Sequence, residues 1–506
     1  MKKGKLLTFN GAMLFSLLTT AASVHAKQPN IVLFLVDDMG YKDLGCYGAK
    51  LYETPNIDNL RKSGVKFTQA YIPVSICSPT RASLLTGKHC ANMYMWNHTD
   101  YVPKEEKLLP QYLKEVGYQS WHVGKWHMGN KKDKTFPEDK GFDTNIAGYI
   151  SWGPGSYFWP YGSNADGSAA WAYDKNGKPK LDNKGRPRKY WERNRVPGLY
   201  NGGHKGEYLT DRLTREAVKL IDKRDKNKPF FLNLWHYGVH DYKEAKPELI
   251  KKYEEKIKLM GLSPTYFTDP ALKVKLLTSE TNPVYAAMIE SIDDSVGRIV
   301  NRLKEIGEYE NTMFVFMSDN GPTTSNVPCT PMRGGKNSNY EAGVRVPAII
   351  AWPGHIKANS TYNKIVKSED FFDTAAEVAG VNKNILPMGN GESLTPIFEG
   401  KKLQNRTRWW FFPRDQYVYG HRGGAAAYDE KSGLKYIMFF NGDKPELYDI
   451  KNDIAESKNL VEKYPEKAKE LRELIRKNLA KVYHKMNPYR KYDKAIKAFI
   501  EKSHNN

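Results

Sequence analysis

Residues 31–38 read Ile-Val-Leu-Phe-Leu-Val-Asp-Asp, six apolar residues followed by two carboxylates. An apolar run without alternation is typical of a strand that is buried on both faces, as in a parallel sheet. The same pattern recurs over Met313–Met317, which is followed by Ser318-Asp319-Asn320-Gly321, and similar runs cover Phe230–Trp235 and Val346–Trp352. These segments predict several buried strands that need helices on both faces of their sheet.

Helical patterns separate the predicted strands. They cover Leu108–Val116, Tyr208–Asp222 and Tyr285–Ile306. Strands that alternate with helices predict an α/β fold with a large, mostly parallel sheet sandwiched by helices. Ligands of such sheets bind at the carboxyl ends of the strands.

A smaller unit follows a change of composition near Asn405. We predict a C-terminal α+β subdomain with a short antiparallel sheet and a helix over about Glu462–Tyr483. Its predicted strands are Trp409–Phe412, Gln416–Tyr419, Ala425–Tyr428 and Leu434–Phe440. The predicted organisation is a signal peptide (1–26), a catalytic domain (27–405) and a C-terminal subdomain with a basic tail (406–506). We expect the Lys-rich tail after Pro488 to be loosely held.

The N-terminus has the pattern of an export signal. Met-Lys-Lys-Gly-Lys precedes an apolar stretch from Leu6 to Val24, and Val24-His25-Ala26 offers small residues for cleavage. A permanent anchor is the weaker interpretation, because Asn10 and Gly11 interrupt the apolar run. No later segment approaches twenty apolar residues, so we expect no membrane span. The protein is predicted to be exported, to the periplasm or as a secreted protein.

The charge of the chain is strongly positive, with 78 Lys and Arg against 57 Asp and Glu, a formal net charge of +21. Such a surface attracts anions. No RNA-binding, helix-turn-helix or zinc-finger pattern is found in the sequence, and we expect no nucleic-acid partner. A polyanionic glycan fits an exported basic protein better. The segment from Gly148 to Gly203, rich in Gly, Trp, Tyr and Asn, is predicted to be an ordered aromatic wall around a pocket.

Two pairs of polar residues end the predicted strands. Asp37 and Asp38 follow one strand, and Asp319 and Asn320 follow another. Each pair alone is more typical of a solvated strand end. Together they supply four oxygen donors at one edge of the sheet, which calcium or magnesium prefers, whereas zinc prefers His or Cys.

Residues 77–87 read Cys-Ser-Pro-Thr-Arg-Ala-Ser-Leu-Leu-Thr-Gly. Cys-x-Pro-x-Arg running into Leu-Thr-Gly is the substrate code of enzymes that convert such a cysteine to formylglycine. The alternative is a buried free cysteine at a helix start that Pro79 opens. The other cysteines are Cys46, Cys90 and Cys329, whose spacing predicts neither a disulfide framework nor a zinc site. If Cys77 is modified, one disulfide at most forms within the chain, between a pair that the sequence leaves open.

Three further basic residues lie in short motifs. In the segment 117–127, Lys125 and His127 are two apart, so an extended chain would point both into one site. The alternative is a surface lysine beside a half-buried histidine. Lys336 follows Arg333-Gly334-Gly335, where the glycines permit close approach of the backbone to a ligand.

Taken in order, these motifs resemble those of the formylglycine-dependent sulfatases, a family of the alkaline phosphatase superfamily. The resemblance covers nearly the whole mature chain. Its pieces are residues 36–38, 77–81, 117–127, 239–240, 318–321, 333–336 and 340–347.

The resemblance implies a role for each motif residue. One calcium ion is implied at Asp37, Asp38, Asp319 and Asn320, with the formylglycine made from Cys77 completing its shell. Arg81 and Lys125 would steady the hydrated formylglycine as the nucleophile. His240 and Lys336 would contact the sulfate and protonate the leaving oxygen, and His127 would be the base that lets sulfate depart. His236, in the same segment as His240, is the alternative for that position.

The implied activity is that of an arylsulfatase-like sulfuric ester hydrolase that acts on sulfated glycans in an exo manner and needs a formylglycine-installing maturation enzyme. Small aryl or alkyl sulfates are the alternative substrates. A phosphate or phosphonate ester hydrolase of the same superfamily and a glycan-binding protein without activity are the other two hypotheses.

Overall fold

The computed structural model describes residues 27–159, 161, 196–199, 201–241, 243–269, 274–324, 327–414, 422–486 and 491–501. The predicted signal peptide, most of the aromatic segment and the strand predicted over Gln416–Tyr419 lie outside these residues. The strands are β1 (Asn30–Val36), β2 (Gly64–Tyr71), β3 (Gln119–Gly124), β4 (Thr144–Ile146), β5 (Phe230–Trp235), β6 (Tyr266–Asp269), β7 (Val274–Leu277), β8 (Thr312–Ser318), β9 (Arg345–Ala351), β10 (Ser360–Lys367), β11 (Thr407–Phe412), β12 (Gly424–Asp429), β13 (Leu434–Phe439) and β14 (Glu446–Asp449).

The helices cover much of both faces of the larger sheet. The α-helices are Pro55–Lys62, Cys77–Thr86, Leu109–Glu115, Leu209–Lys223, Pro247–Leu259, Pro283–Glu305, Glu341–Val344, Asp370–Val378, Thr395–Phe398, Pro465–Val482 and Asp493–Glu501. Short 3-10 turns are Gly45–Tyr47, Cys90–Met93, Pro137–Lys140, Lys383–Ile385 and Tyr483–Lys485. The three helices predicted between strands are thus confirmed within two residues at each end.

The large sheet has eight strands in the order β10-β2-β9-β8-β1-β5-β3-β4. Neighbouring strands are parallel except at β9, which runs antiparallel to both β2 and β8. The prediction of a mostly parallel sheet is therefore confirmed, with the strand predicted at Val346–Trp352 as its antiparallel member.

The central strand β1 is buried on both faces, as its sequence predicts. Ile31, Leu33 and Leu35 belong to one hydrophobic cluster, and alternate residues such as Val32 and Phe34 belong to another on the opposite face. Every residue of β1 is buried. This is why the sequence shows a continuous apolar run rather than the alternation of a half-exposed strand.

A four-stranded antiparallel sheet, β11-β12-β13-β14, follows near the C-terminus. One face shares a cluster with the large sheet through residues such as Trp410 and Tyr428, and the other packs on the helix Pro465–Val482. The sequence missed β14 because its four residues, Glu-Leu-Tyr-Asp, begin and end with charges. The domain boundary at residue 405 stays a prediction.

The expectation of a loosely held C-terminal tail is wrong for residues 493–501. They form a helix whose Ile496 and Phe499 are buried against the C-terminal cluster. The Lys residues that suggested a loose tail lie on the outer face, and the apolar residues at helical spacing hold the segment. Within the described residues, no helix combines the length and apolarity that crossing a bilayer needs.

Candidate active site

The carboxyl ends of β1 and β8 meet at one edge of the large sheet. The strands are neighbours in parallel register, with Val36 opposite Ser318. Asp37, Asp38, Asp319 and Asn320 therefore lie side by side, and each is buried. The Asp38 N–H donates to Asp319 Oδ1 at 3.2 Å, which ties the two strand ends together. The structure thus brings these four side chains together, as the sequence predicts.

Several oxygens of this cluster lack partners. Asp37 Oδ1, Asp38 Oδ2 and Asn320 Oδ1 are buried and make no hydrogen bond to the described residues. The Asn320 amide nitrogen donates to Asp38 Oδ1 at 2.6 Å and to the Gly321 carbonyl at 2.8 Å, which leaves its oxygen unpaired. Buried acceptors without donors are costly. Carboxylate and amide oxygens are the ligands of hard cations, so the donor set fits calcium.

Cys77 lies beside this oxygen cluster at the start of the helix Cys77–Thr86. Its Sγ is within 4.8 Å of carboxylate oxygens of Asp37 and Asp319. Sγ also lies 3.2 Å from His127 Nδ1. The helix start is fixed by Thr80, whose hydroxyl donates to the carbonyls of Val74 and Ile76. Burial raises the pKa of the thiol, and the charges of Lys125 and Lys336 oppose that rise.

Arg81 lies one turn after Cys77 and is fully buried. Nε and Nη2 donate to Asp319 Oδ2 at 3.0 and 2.7 Å, and Nη2 also reaches Asp37 Oδ2 at 3.1 Å. Nη1 donates to the Lys125 carbonyl at 2.9 Å. Its guanidinium therefore fixes two carboxylates and the chain at Lys125.

Lys125 and His127 follow the end of β3. Lys125 pairs with Asp37, and both residues are buried. The expectation that an extended chain aligns them is wrong, because β3 ends at Gly124 and His127 has a left-handed φ of 60°. The turn depends on Gly124, with a φ of 106°, where a Cβ would lie 1.9 Å from the Trp235 carbonyl oxygen. The two side chains reach the site through this turn.

Lys336 and His240 approach the site at Asp38. Lys336 Nζ donates to Asp38 Oδ1 at 2.6 Å, and His240 Nε2 lies 3.6 Å from Asp38 Oδ2. His236 instead packs away from the site, with Nε2 3.1 Å from Ser295 Oγ. Of the two candidate histidines, His240 is thus the one that faces the cluster.

The glycines before Lys336 serve the protein backbone rather than the close approach to a ligand that the sequence suggested. A Cβ on Gly335 would lie 2.7 Å from the Pro322 carbonyl oxygen and 2.3 Å from the Thr324 methyl carbon. The Lys336 N–H donates to that same Pro322 oxygen at 2.8 Å. The close packing of these two segments places Lys336 over Asp38.

Burial and nearby charges shift the pKa values of Asp37 and Asp38 in opposite directions. Burial, together with repulsion from Asp319, raises the pKa of Asp37 to about 7. Burial also opposes ionisation of Asp38, but the charges of Lys336, His240 and Lys125 outweigh it and lower the pKa of Asp38. A bound cation would favour the ionised form of both.

Burial and nearby positive charges also lower the pKa values of the two site histidines, His127 and His240. Burial, with the charges of Lys125 and Arg81, lowers the pKa of His127. Burial and the charge of Lys336 lower that of His240. These shifts favour the neutral imidazole, which is able to accept a proton, while the Asp38 carboxylate acts in the opposite direction on His240.

The sequence that builds this site matches a known family. The family model Sulfatase matches residues 29–381, and the model N-sulphoglucosamine sulphohydrolase, C-terminal, matches residues 335–485. The chain belongs to the sulfatase family. This family is part of the alkaline phosphatase superfamily, and the protein is a sulfuric ester hydrolase.

Relatives of this sulfatase align over most of their length. Human N-acetylgalactosamine-6-sulfatase is 30% identical over 418 residues, 77% of this chain and 69% of that protein. A sulfatase of Formosa agariphila is 29% identical over 526 residues, 92% of this chain and 90% of the relative. The crystal structure of Ps i-CgsB in complex with k-i-k-neocarrahexaose aligns with a TM-score of 0.71 and 28% identity, over 89% of this chain and 92% of that one.

Three residues at the site of this sulfatase were not singled out from the sequence. Trp152 is half-buried with its ring centroid 5.3 Å from that of His240, and it lies in the segment predicted as an aromatic wall. His98 and Arg414 touch each other, with His98 Nδ1 3.4 Å from Arg414 Nη1. They are 316 positions apart and belong to no motif, so the sequence carried no signal for them.

Proposed function

We propose that this sulfatase removes sulfate from sulfated glycans, with formylglycine made from Cys77 as its nucleophile and one calcium ion at Asp37, Asp38, Asp319 and Asn320. The observation that carries the proposal is the set of buried oxygens beside the Cys77 sulfur that have no hydrogen-bond partner among the described residues. The calcium ion, when bound, would act as a Lewis acid that stabilises negative charge on the nucleophile and the sulfate.

Cys77 and His127 are placed for nucleophilic catalysis. In this structure the Cys77 sulfur occupies the position of the oxygens that a hydrated formylglycine would carry. His127 Nδ1, 3.2 Å from that sulfur, is within reach of a proton on such an oxygen. A thiol lacks the second hydroxyl that sulfate release by elimination requires, so unmodified protein is expected to be nearly inactive.

The basic residues have two separate tasks in this proposal. Four of the five N–H groups of Arg81 donate to Asp37, Asp319 and the Lys125 carbonyl, so its main task is to position the metal ligands. Lys336 and His240, at Asp38, are placed to bind the sulfate oxygens and to protonate the departing ester oxygen.

A glycan substrate is supported by three observations. Human N-acetylgalactosamine-6-sulfatase is named for a sugar sulfate, and the Ps i-CgsB structure holds k-i-k-neocarrahexaose. Trp152 presents an aromatic ring beside His240 on which a sugar could stack. The chain carries a net charge of +21, and its N-terminal 26 residues have the pattern of an export signal that would bring it to extracellular polyanions.

The first experiment is mass analysis of the tryptic peptide Phe67–Arg81 from protein made in its native host, together with metal analysis of the same sample. We expect formylglycine at Cys77 and one calcium ion per chain. Active protein with an unmodified cysteine would contradict the mechanism. The substrate is then tested by sulfate release from sulfated oligosaccharides and from an aryl sulfate, and activity on the aryl sulfate alone would contradict the glycan part.

The phosphate or phosphonate hydrolase hypothesis is tested in parallel. The comparison uses a sulfate ester, a phosphate ester and a phosphonate ester with the same leaving group. We expect the highest kcat/KM for the sulfate ester. A higher value for either phosphorus ester would overturn the proposed function.

A further inference from the structure

Two side chains from distant parts of the chain, Arg414 and His98, meet at what we call the rim of the active site, within electrostatic range of His127. Arg414 lies two residues after β11, and its Nη1 is 3.3 Å from Asn97 Oδ1 and 3.4 Å from His98 Nδ1. Both Arg414 and His98 are partly exposed. The contact joins the C-terminal sheet to a loop of the catalytic domain.

That loop is anchored next to the nucleophile. The Asp100 carboxylate accepts the N–H groups of Trp96 and Asn97, each at 2.9 Å. The Asp100 carbonyl in turn accepts from the Ser78 hydroxyl at 2.8 Å, and Ser78 is the residue after Cys77. His98 is therefore held close to the reacting group by a short chain of hydrogen bonds.

The surroundings of His98 are positively charged. Burial lowers the pKa of His98 to about 4, with further contributions from the charges of Arg414, Lys336 and Lys125. The site lysines thus lie within electrostatic range of the loop. The field at this rim favours an anion.

Arg414 differs from other partly buried arginines in its partners. Arg333, Arg406 and Arg422 each pair with at least one carboxylate. Among the described residues, none within ion-pair distance of Arg414 is acidic. Because Arg414 donates to His98 Nδ1, the neutral His98 imidazole carries its proton on Nε2. The pair therefore offers N–H donors to a ligand. It also carries a positive charge that no described acid balances.

We propose that Arg414 and His98 bind a second anionic group of the substrate, a carboxylate or another sulfate, beside the sulfate that is removed. This inference rests on the proposed function and names its substrate class: a glycan with two neighbouring anionic groups. The planar guanidinium presents paired N–H donors that match either oxyanion. The substrate anion then pairs with the charge of Arg414 that no acid among the described residues balances.

The test compares three disaccharides: one with a single sulfate and no other charge, one with two sulfates, and one with a sulfate and a carboxylate. We expect wild-type kcat/KM to be about 10- to 100-fold higher for at least one doubly charged substrate. Arg414→Gln should remove this preference, Arg414→Lys should restore part of it, and His98→Gln should reduce it. The better of the two doubly charged substrates identifies the second anion.

Two controls test whether a lost preference reflects binding at Arg414 rather than a change in the overall charge or in the folding of the protein. Arg302→Gln removes the same charge at an exposed site, where Arg302 pairs with Asp222 and Glu305, and should leave the preference intact. The midpoint of thermal unfolding should be the same for Arg414→Gln and wild type. A wild-type enzyme without preference for double charge, or an equal loss on all three substrates in Arg414→Gln, would overturn the inference.

Binding provides a second readout that does not depend on turnover. In Cys77→Ala protein, calorimetry should show tighter binding of a doubly charged disaccharide, and Arg414→Gln in that background should remove the difference. Equal affinities for singly and doubly charged sugars would also overturn the inference. Failure to release sulfate from any ester would instead contradict the proposed function.

Discussion

Two clusters of buried charges in this sulfatase differ in how completely their polar atoms are bonded. The active-site cluster consists of Asp37, Asp38, Asp319 and Asn320 with their basic partners, and oxygens of three of these residues make no hydrogen bond to any described residue. The interface cluster consists of Glu341, Lys435, Glu456, Arg345 and Tyr71, all buried. Both clusters are shielded from solvent, so burial alone does not distinguish them.

In the interface cluster every carboxylate oxygen has a cation or a donor close by, and one of them, Glu456 Oε1, makes only an ion-pair contact and no hydrogen bond to the described residues. Lys435 Nζ lies 2.9 Å from Glu341 Oε1 and 3.0 Å from Glu456 Oε1. Glu341 Oε2 accepts from Tyr71 at 2.9 Å and from Arg345 at 3.2 Å, and Glu456 Oε2 accepts the Glu341 N–H at 2.7 Å. The cluster is closed and joins β13 to the segment before β9.

The difference teaches that several neighbouring unused acceptors, rather than buried charge, distinguish the active-site cluster from the interface cluster. A satisfied network has no capacity for a further cation and serves to fix the packing of two sheets. A network with free oxygens is incomplete until a ligand binds. Removing a member should therefore affect activity in one cluster and stability in the other.

The largest effect is expected from Cys77→Ala in the active-site cluster. The change removes the proposed nucleophile, so kcat should fall by about 10⁴-fold or more. Thermal unfolding should be little changed, because the only hydrogen-bond partner of the Cys77 side chain among the described residues is His127. The checks are steady-state kinetics and the unfolding midpoint. Retention of a tenth of the wild-type kcat would contradict the assignment.

Lys435→Met should be the most damaging change in the interface cluster. It leaves Glu341 and Glu456 buried without their shared cation, which costs about 3–5 kcal/mol of unfolding free energy. Urea denaturation measures this loss. The matched control is Lys467→Met, since Lys467 also pairs with two carboxylates, Asp429 and Glu470, but is partly exposed. Its cost should be at most about 1 kcal/mol, and equal losses in both variants would refute the distinction.

Calcium should stabilise the protein through the active-site cluster alone. At a free calcium concentration of 100 times Kd, binding adds about 2.7 kcal/mol to the unfolding free energy, which a chelator should remove. Asp38→Asn should weaken this dependence, because it removes a ligand charge. Lys435→Met should retain the full calcium response. A calcium response that is unchanged in Asp38→Asn would argue against the proposed ligands.

The two clusters also differ in how far the sequence could predict them. Asp37 and Asp319 were predictable because each follows an apolar strand, β1 and β8, and adjacent parallel strands bring such ends together. The interface cluster and the contact of Arg414 with His98 were not predicted, since both depend on how the C-terminal sheet packs on the larger one. Long-range packing of this kind leaves no periodic pattern in the chain.

The local backbone geometry of the active site was predicted less well than the identity of its residues. Lys125 and His127 reach the site by a turn at Gly124 that involves left-handed backbone, not by the extended chain expected from their spacing. Motifs thus identified which side chains act together. How each one reaches the site depended on close packing, such as that of Gly124 against the Trp235 carbonyl.

The smallest effect is expected from Glu456→Gln, and it should appear as a change in pH dependence. Burial and repulsion from Glu341 raise the pKa of Glu456 to about 7 from an ordinary value of 4.5, although the charge of Lys435 opposes this rise. Between these values the folded protein binds more protons than the unfolded chain, so the unfolding free energy falls as pH rises. Glu341, whose pKa is lowered, changes protonation below pH 4.5 and contributes little in this range, so the change from Glu456 alone should be about 2 kcal/mol.

Glu456→Gln should therefore flatten the decline in stability from pH 5 to pH 7.5 that urea unfolding measures in the wild type. The exposed control Glu470→Gln, on the helix Pro465–Val482, should leave the decline as it is. The closed cluster would then have a pH-dependent stability of its own, separate from the metal site. If Glu456→Gln keeps the wild-type slope, the pH dependence arises elsewhere, and the carboxylates of the active-site cluster become the next candidates, because calcium should suppress their contribution and leave that of Glu456 intact.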